Sequence, residues 1–540
     1  MQVDTLQRND QGSNPGFEPL RETKLSRTPR ILVVGAGVGG LAAAARLAAA
    51  GCETTVLERS LAPGGKMRAV GVEDVEIDAG PTVLTMRFVF EDLFQACRRD
   101  FADGVRLTQL DRLARHFWRD GAQLDLYGDA ERNAAAIREF AGAREAEGYR
   151  RFAGAAERAY LALRESFVTA SRPSLPQLVA RVAARRPADL FAMAPFETLW
   201  RALGRYFRDP RLRQLFARYA TYSGASPFAA PATLMLIAHV EREGVWIVEG
   251  GMRRLAAALG ELAGGCGAHI RYGCEVARIR VEGGRAAGVE TAAGERIAAD
   301  AVVFNGDVAA LASGLLGEPA RRSGARIAPP SLSALTWVAK AGVQGASWLH
   351  HNVLFGDDYR EEFDAIFAQR RLPADPTIYV CAEDRAEGPP AGAQERLFVL
   401  VNAPPHREDG ALSSQEIEIC EQKVGAALNR LGSSLDWTRA RMTGPQQFAA
   451  MFPASRGALY GPASHGWRAS FTRGGARTRL PGLYLAGGSV HPGAGVPMAA
   501  LSGRQAALAI LADWPSTARS RPAATPGGIS TPSATIGSSA

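Results

Sequence analysis

Residues 31–40 read ILVVGAGVGG, and this stretch restricts the fold more than any other in the chain. ILVVG is a short apolar run suited to a strand buried in a parallel sheet. Gly35, Gly37 and Gly40 then stand in G-x-G-x-x-G register ahead of LAAAARLAAAG, an alanine-rich segment that predicts a helix. A second strand, ETTVLE, ends on Glu58, 23 residues after Gly35. The first glycine allows the tight turn, the second lets backbone amides approach a pyrophosphate, and the third lets helix and strand pack closely. Phosphates then sit at the helix N-terminus, and a carboxylate at 58 can accept hydrogen bonds from ribose hydroxyls. Alone, the glycine pattern would be an ordinary turn. With its flanking strands and acid, it marks Gly35, Ala36, Gly37, Gly39, Gly40 and Glu58 as a dinucleotide site.

That unit does not separate a nicotinamide dinucleotide from FAD. Two later stretches favour FAD. RSLAPGGKMRAV at 59–70 sets a glycine pair, Gly64 and Gly65, before Lys66 and Arg68, and DAGPTVL follows at 78–84. Such a loop suits approach to the rest of a longer, extended dinucleotide. GLYLAG then leads into GGSVHPGAGVPMAALSG at 487–503, a second strand, glycine loop and helix. The N-terminus of that helix can face the isoalloxazine carbonyls, where negative charge develops on reduction. Two glycine-rich segments about 450 residues apart make sense if both touch one flavin.

A chain of 540 residues is too long for one compact core. Only four of its 63 basic residues are lysines (Lys24, Lys66, Lys340 and Lys423), and the arginines are interspersed with acids, which argues against nucleic acid despite a net charge of +8. A basic surface favours anionic lipid instead. The six cysteines form no C-x-x-C pair and no disulfide framework, and read as reduced cytoplasmic thiols. The N-terminus lacks the basic-then-apolar order of a signal peptide. The most apolar window, 31–50, carries Arg46 and four glycines and reads as strand, turn and helix rather than a span. The predicted layout is a disordered extension at 1–28, a first FAD-binding part at 29–90, and a helical substrate or membrane-facing region at 91–245. A second FAD-binding part follows at 246–310, then a substrate-domain sheet at 311–445, a last FAD-binding part at 446–515 and a disordered tail at 516–540. Helical patterns dominate 88–243; 268–305 and 331–402 read as strands, with EGG and AAGE as hairpin turns.

VVGAGVGGLAAAARLAAAG, TTVLERSLAPGGKMR, DAGPTVL, LHHNVLF at 349–355, YVCAEDR at 379–385 and GLYLAGGSVHPGAGVPMAALSGRQAA at 482–507 together resemble the FAD-dependent amine-oxidase-like flavoproteins, in their carotenoid desaturase (phytoene-desaturase-type) branch. The first motif is shared by many flavoproteins; HPGAG at 491–495 is far more specific. Around it the chain looks most like the 1-hydroxycarotenoid 3,4-desaturases, or methoxyneurosporene dehydrogenases. The resemblance implies an α/β, Rossmann-like FAD-binding domain interrupted by a mixed α+β substrate domain. It implies a long apolar carotenoid drawn from the membrane, and a new C3–C4 double bond in an acyclic chain hydroxylated at C1. Carried over residue by residue, it adds Arg59, Gly65, Lys66, Arg68, Gly80, Pro81, Thr82, Val276, Asn305, Gly487, Gly488, Val496, Pro497 and Met498 as contacts of the cofactor. It fixes neither the electron acceptor (quinone or oxygen) nor the oligomer. The implied setting is cytoplasmic, peripheral on the inner face of the cell membrane.

Other residues carry two readings each. In FAMAPFETLWRALGRYFRDPRLRQLFARYA at 191–220, Phe196, Leu199, Trp200, Leu203 and Phe207 fall opposite Arg201, Arg205 and Arg208. That stripe suits either a membrane interface or burial in the core. His350 and His351 on a strand would point to opposite faces, a poor chelating pair, and no metal cluster stands out. His491, the one weak catalytic candidate, would bond either the flavin ring or a backbone carbonyl. Desaturation beside a polyene needs little acid–base help, because the polyene delocalises positive charge. The expected task is to hold the chain in a dry tunnel, with a polar group for the C1 hydroxyl. The rivals are a phytoene desaturase, an amine or protoporphyrinogen oxidase, and a non-enzymatic prenyl-lipid-binding protein of the same fold.

Overall fold

The computed structural model describes residues 27–185, 196–343, 347–385, 394–407, 410 and 412–514. The tail read as disordered at 516–540 and nearly all of the extension at 1–28 lie outside them. A five-stranded parallel sheet sits at the centre of one half, in the order Leu483–Leu485, Ala301–Phe304, Arg30–Val34, Glu53–Leu57, His269–Arg271. Its central strands are apolar along their length because both faces are covered, one by the helices Val38–Ala49, Met252–Gly265 and Val496–Asp513 and the other by the antiparallel strands Val276–Glu282 and Arg285–Thr291; Ile31, Leu32, Val33, Val302 and Val303 are all buried. The strands come from widely separated parts of the chain, which places the two glycine-rich segments side by side at one end of the sheet.

A second, mostly antiparallel sheet runs Ser433–Leu435, Ser333–Val343, Gln394–Ala403, Ile378–Ala382, His351–Leu354, Arg112–Phe117, Gln123–Tyr127, with Arg441–Thr443 pairing Ser333–Val343. Two of these strands fall in the stretch expected to be helical. RLARHF and QLDLY alternate with period two, and the turn between them closes at Asp120–Gly121, with Gly121 at φ +85°. The dipeptide Asp-Gly is a hairpin signal, and it outweighs the helical patterns on either side. Beyond it the helices Ala130–Ala141 and Ala143–Leu163 do form, the first capped by the Asp129 side chain, which accepts from the Arg132 amide.

The aromatic stripe of 196–220 is broken into the short helix Leu199–Leu203 and the helix Pro210–Ala217, which Asp209 caps. Leu199, Leu203 and Phe207 are buried, and Phe207 stacks on Phe216 at 4.8 Å between ring centroids. The core reading of this stripe holds for those residues. Phe196 is the exception, 77% exposed and edge-on to Trp467. Residues 191–195 of the same segment lie outside the described residues.

Glu362 fastens the helix Tyr359–Asp364 to the second sheet. Its buried carboxyl accepts from the Thr377 amide (3.2 Å), the Thr377 hydroxyl (2.6 Å) and Asn402 Nδ2 (3.0 Å). Burial pushes its pKa up from 4.5 to about 7. The native state therefore keeps a proton that the unfolded chain releases at lower pH, so this contribution to stability is complete below the unfolded pKa and is lost as pH rises through about 7. Glu362→Gln removes the titration. Between about pH 5 and about pH 8 its melting temperature should climb relative to the parent, by the equivalent of up to ~3 kcal/mol. Parallel pH profiles for the two proteins would rule out a titrating carboxyl there.

Candidate functional site

The first helix, Val38–Ala49, begins at Gly37 with no side-chain cap, so the amides of its first turn stand open to an external acceptor. Glu58 closes the neighbouring edge. One carboxylate oxygen accepts from the Ala36 amide (2.7 Å) and the other from the Ser60 amide (2.8 Å), and each keeps a lone pair for a hydroxyl donor. The Gly64 amide donates to the Ala36 carbonyl (2.9 Å), which brings the Gly64–Gly65–Lys66 loop against the first turn.

The late segment lies against the same turn. A Cβ on Gly39 would sit 2.7 Å from the Gly487 amide nitrogen and 2.8 Å from Asn305 Oδ1; neither position has room for a side chain. Asn305, at the end of the strand Ala301–Phe304, donates from Nδ2 to the Gly35 carbonyl (3.2 Å), and Gly487 donates to the Ser502 hydroxyl (2.7 Å). The last helix, Val496–Asp513, starts at Gly495, also without a side-chain cap, with Val496, Pro497 and Met498 in its first turn. Val276 opens a strand just after Cys274, whose amide donates to the Glu58 carbonyl.

The cationic residues spread further. Lys66 Nζ donates to the Leu459 carbonyl (2.6 Å), and burial lowers its pKa to about 8, with Asp307 opposing the shift and Arg473 adding to it. Arg68 reaches Thr443 Oγ1 (3.0 Å) and lies over the Phe448 ring. Arg59 Nη2 donates to the Ala450 carbonyl (2.9 Å), on the same helix as Phe448. Gly80 and Pro81 are half-buried, and the Thr82 hydroxyl shares a hydrogen bond with Tyr379 (2.6 Å), linking the cofactor side to the second sheet. Gly488 offers its carbonyl to Arg473 Nη1 (2.7 Å), and Arg473 Nη2 donates to Tyr460 (3.0 Å) and Pro462 (2.9 Å) carbonyls. Burial lowers Arg473 to about 10. Arg473 carries no motif signal in the sequence, and only the fold reveals it.

His491 bonds a backbone carbonyl. Its Nε2 donates to Ala170 O (3.1 Å), and burial lowers its pKa to about 4, so the ring is neutral near pH 7. The two adjacent histidines depart from expectation. His350 precedes the strand His351–Leu354, so strand alternation does not separate the pair, and their rings meet edge to face at 4.6 Å. With buried Cys381 their donor atoms lie within 4.8 Å of one another. Hydrogen bonds account for much of this grouping, His350 Nε2 to the Cys381 thiol (3.4 Å) and His351 Nδ1 to the Tyr379 hydroxyl (2.7 Å).

Beside Thr82 lies a narrow cavity of about 30 Å³. Val83, Leu113, Leu126, Leu215 and Val353 give it apolar walls. The residues around the first turn suit an extended dinucleotide: uncapped amides, a ribose-facing carboxylate, and buried cations lacking full compensation. Gly37→Val tests that fit. Its Cβ would meet Asn305 Nδ2 at 2.9 Å, and the rest of the side chain would cover the amides. The variant should purify folded but with flavin content reduced at least about tenfold; full flavin absorbance would place the phosphates elsewhere.

A model of the flavin containing amine oxidoreductase family matches residues 38–511. The chain is 51% identical over 526 residues to a hydroxyneurosporene desaturase of Rubrivivax gelatinosus, covering 96% of this chain and 99% of that protein. It is 48% identical over 495 residues to the hydroxyneurosporene desaturase of Cereibacter sphaeroides, covering 91% and 99%. Among solved structures, a putrescine oxidase triple mutant from a redesign of cofactor binding aligns with a TM-score of 0.58 and 13% identity over 90% of this chain and 99% of that one, a likeness of fold. Two glycine segments meeting at one end of a parallel sheet, and a match that runs from the first helix to the last, lead to one conclusion: the chain belongs to the flavin containing amine oxidoreductase family, in its carotenoid desaturase branch, with FAD as cofactor.

Proposed function

We propose that the protein introduces the C3–C4 double bond into acyclic carotenoids hydroxylated at C1, of the 1-hydroxyneurosporene type. The observation that carries this reading is its likeness, over nearly the whole of both chains, to two hydroxyneurosporene desaturases. When bound, FAD accepts the hydride equivalent removed from the substrate. The chain's own residues do the rest. Gly35–Gly40, Glu58, Asn305 and the loop at Gly487–Gly488 hold the dinucleotide. Lys66 and Arg473 set positive charge beside it, favouring a cofactor that gains negative charge on reduction. The apolar walls of the cavity exclude water and hold the polyene in one orientation. His491, neutral and bonded to Ala170, serves to fix the HPGAG loop. The intact glycine loops, acid and buried cations support an enzyme over a lipid carrier that has lost its flavin.

The substrate reading is tested on membranes supplied separately with 1-hydroxyneurosporene, neurosporene and phytoene. The hydroxylated chain should be converted and phytoene left unchanged. Efficient desaturation of phytoene, with 1-hydroxyneurosporene untouched, would promote the phytoene desaturase reading.

The setting proposed is the cytoplasm, peripheral on the inner face of the membrane that holds the substrate. No helix among the described residues is long and apolar enough to cross a membrane. A net charge of +8, and exposed Phe196 beside Trp467 and Arg468, support contact with an anionic surface. Raising the salt concentration of a membrane suspension should release a large fraction of the protein. Recovery entirely in the soluble fraction at low salt, with or without anionic vesicles, would count against it.

A further inference from the structure

The apolar lining of the cavity beside Thr82 is interrupted by His116, His351 and Tyr379 from the second sheet and, along one wall, by a charged group drawn from two other elements. Arg218, Tyr219 and Tyr222 come from the 3-10 turn Arg218–Ser223, and Glu241 from the helix Leu236–Glu243. Glu241 is 8% exposed. Each of its oxygens accepts from one phenol, Oε2 from Tyr219 (2.9 Å) and Oε1 from Tyr222. Burial raises its carboxyl, and the two phenols and the charge of Arg218 oppose that shift. The Arg218 guanidinium lies over the rings of Tyr379 (5.3 Å) and Tyr222 (5.8 Å).

A tunnel for a hydrocarbon has no use for such a wall. Burying an arginine and a glutamate costs desolvation that their attraction barely offsets, and apolar residues of similar size are often as stable or more so. The cluster therefore calls for a polar atom on the ligand. An arginine and a carboxylate together are electrically neutral but offer both donors and acceptors. An ammonium group would meet Arg218 and a carboxylate would meet Glu241, each unfavourably. An alcohol, which donates and accepts at one oxygen, suits both partners.

We propose that Arg218 and Glu241 bind the C1 hydroxyl of the carotenoid, which donates to a Glu241 oxygen and accepts from the Arg218 guanidinium. The assignment rests on the substrate reading above. Its position is consistent with the chemistry, since only three bonds separate that oxygen from C3 and the binding group must lie close to the reacting carbons. Val83, next to Thr82, and Tyr379, bonded to Thr82, line the same cavity as Arg218 and Glu241. Loss of the substrate hydroxyl would leave Arg218 and Glu241 each without that partner, which is how a site of this kind rejects the analogue.

The test compares 1-hydroxyneurosporene with neurosporene in the flavin-loaded parent protein, Arg218→Met/Glu241→Gln and the isosteric Glu241→Gln. Binding is read from the shift of the polyene absorption, and turnover in parallel. The parent should bind the hydroxylated chain at least about tenfold more tightly. The double variant should lose that preference through weaker binding of 1-hydroxyneurosporene, with neurosporene held as well as before or better. Glu241→Gln alone should lower the preference several-fold, and it carries the test if the double variant does not retain flavin. A parent that discriminates and variants that discriminate equally would overturn the assignment while leaving the substrate reading intact. A parent with no preference for the hydroxyl would overturn the substrate reading, and this assignment with it.

Discussion

The structure depends on a contact between backbones. The first helix and the last cross where both carry glycine, and a Cβ on Gly503 would stand 2.2 Å from the Gly39 carbonyl oxygen. No side chain fits there, so the helices approach at backbone distance and the loop ahead of the last helix is drawn onto the first turn. From that crossing follow the packing of Gly39 on Gly487, the wedge of Asn305 between them, and the position of Arg473 beneath the late loop. The proposed cofactor cradle is a consequence of how closely two helices meet.

Elsewhere too the chain tolerates charges that a protein interior ordinarily avoids. Arg473, Glu241 and Glu362 are buried and Lys66 and Arg218 half-buried; burial drives the shift in all but Arg218, whose guanidinium is held up against burial by neighbouring phenols and Glu241. They divide by their partners. Glu362 is satisfied within the protein by Thr377 and Asn402, and is structural. Lys66 and Arg473 are met by backbone carbonyls rather than carboxylates, on the side proposed for the anionic cofactor. Arg218 and Glu241 face the cavity. The placement of cost follows function, since a buried charge persists where a ligand completes its partners.

Much of this was legible in the sequence, for a physical reason. The glycine motifs, the flanking strands and Glu58 act through local geometry at fixed spacing, so they can be read without coordinates. The βαβ unit, the strands of 268–305 and 331–402 and the late helix have that character. Three things were not legible. The hairpin at 112–127 was masked by helical neighbours, although Asp120–Gly121 announced it. The meeting of His350 with His351 depends on where the strand begins, which alternation cannot tell. Arg473, Arg218 and Glu241 lie in ordinary arginine-rich or amphipathic text, and their roles come from elements that only the fold brings together.

The parallel sheet has a further consequence, for the order in which the protein can assemble. Leu483–Leu485 pairs with Ala301–Phe304, which pairs with Arg30–Val34. The edge of the N-terminal βαβ unit therefore waits for a strand about 270 residues later, and that strand in turn for one about 180 residues later still. Contacts of such long sequence separation form slowly and only after the loop-closure cost is met. Until then the apolar face of the first helix has no final partner, and the nascent chain is open to association with others like it. An arrangement in which one cofactor would bridge two distant segments thus delays closure of the sheet until its late strand is in place, and a ligand that binds only the closed form pulls the equilibrium toward completion.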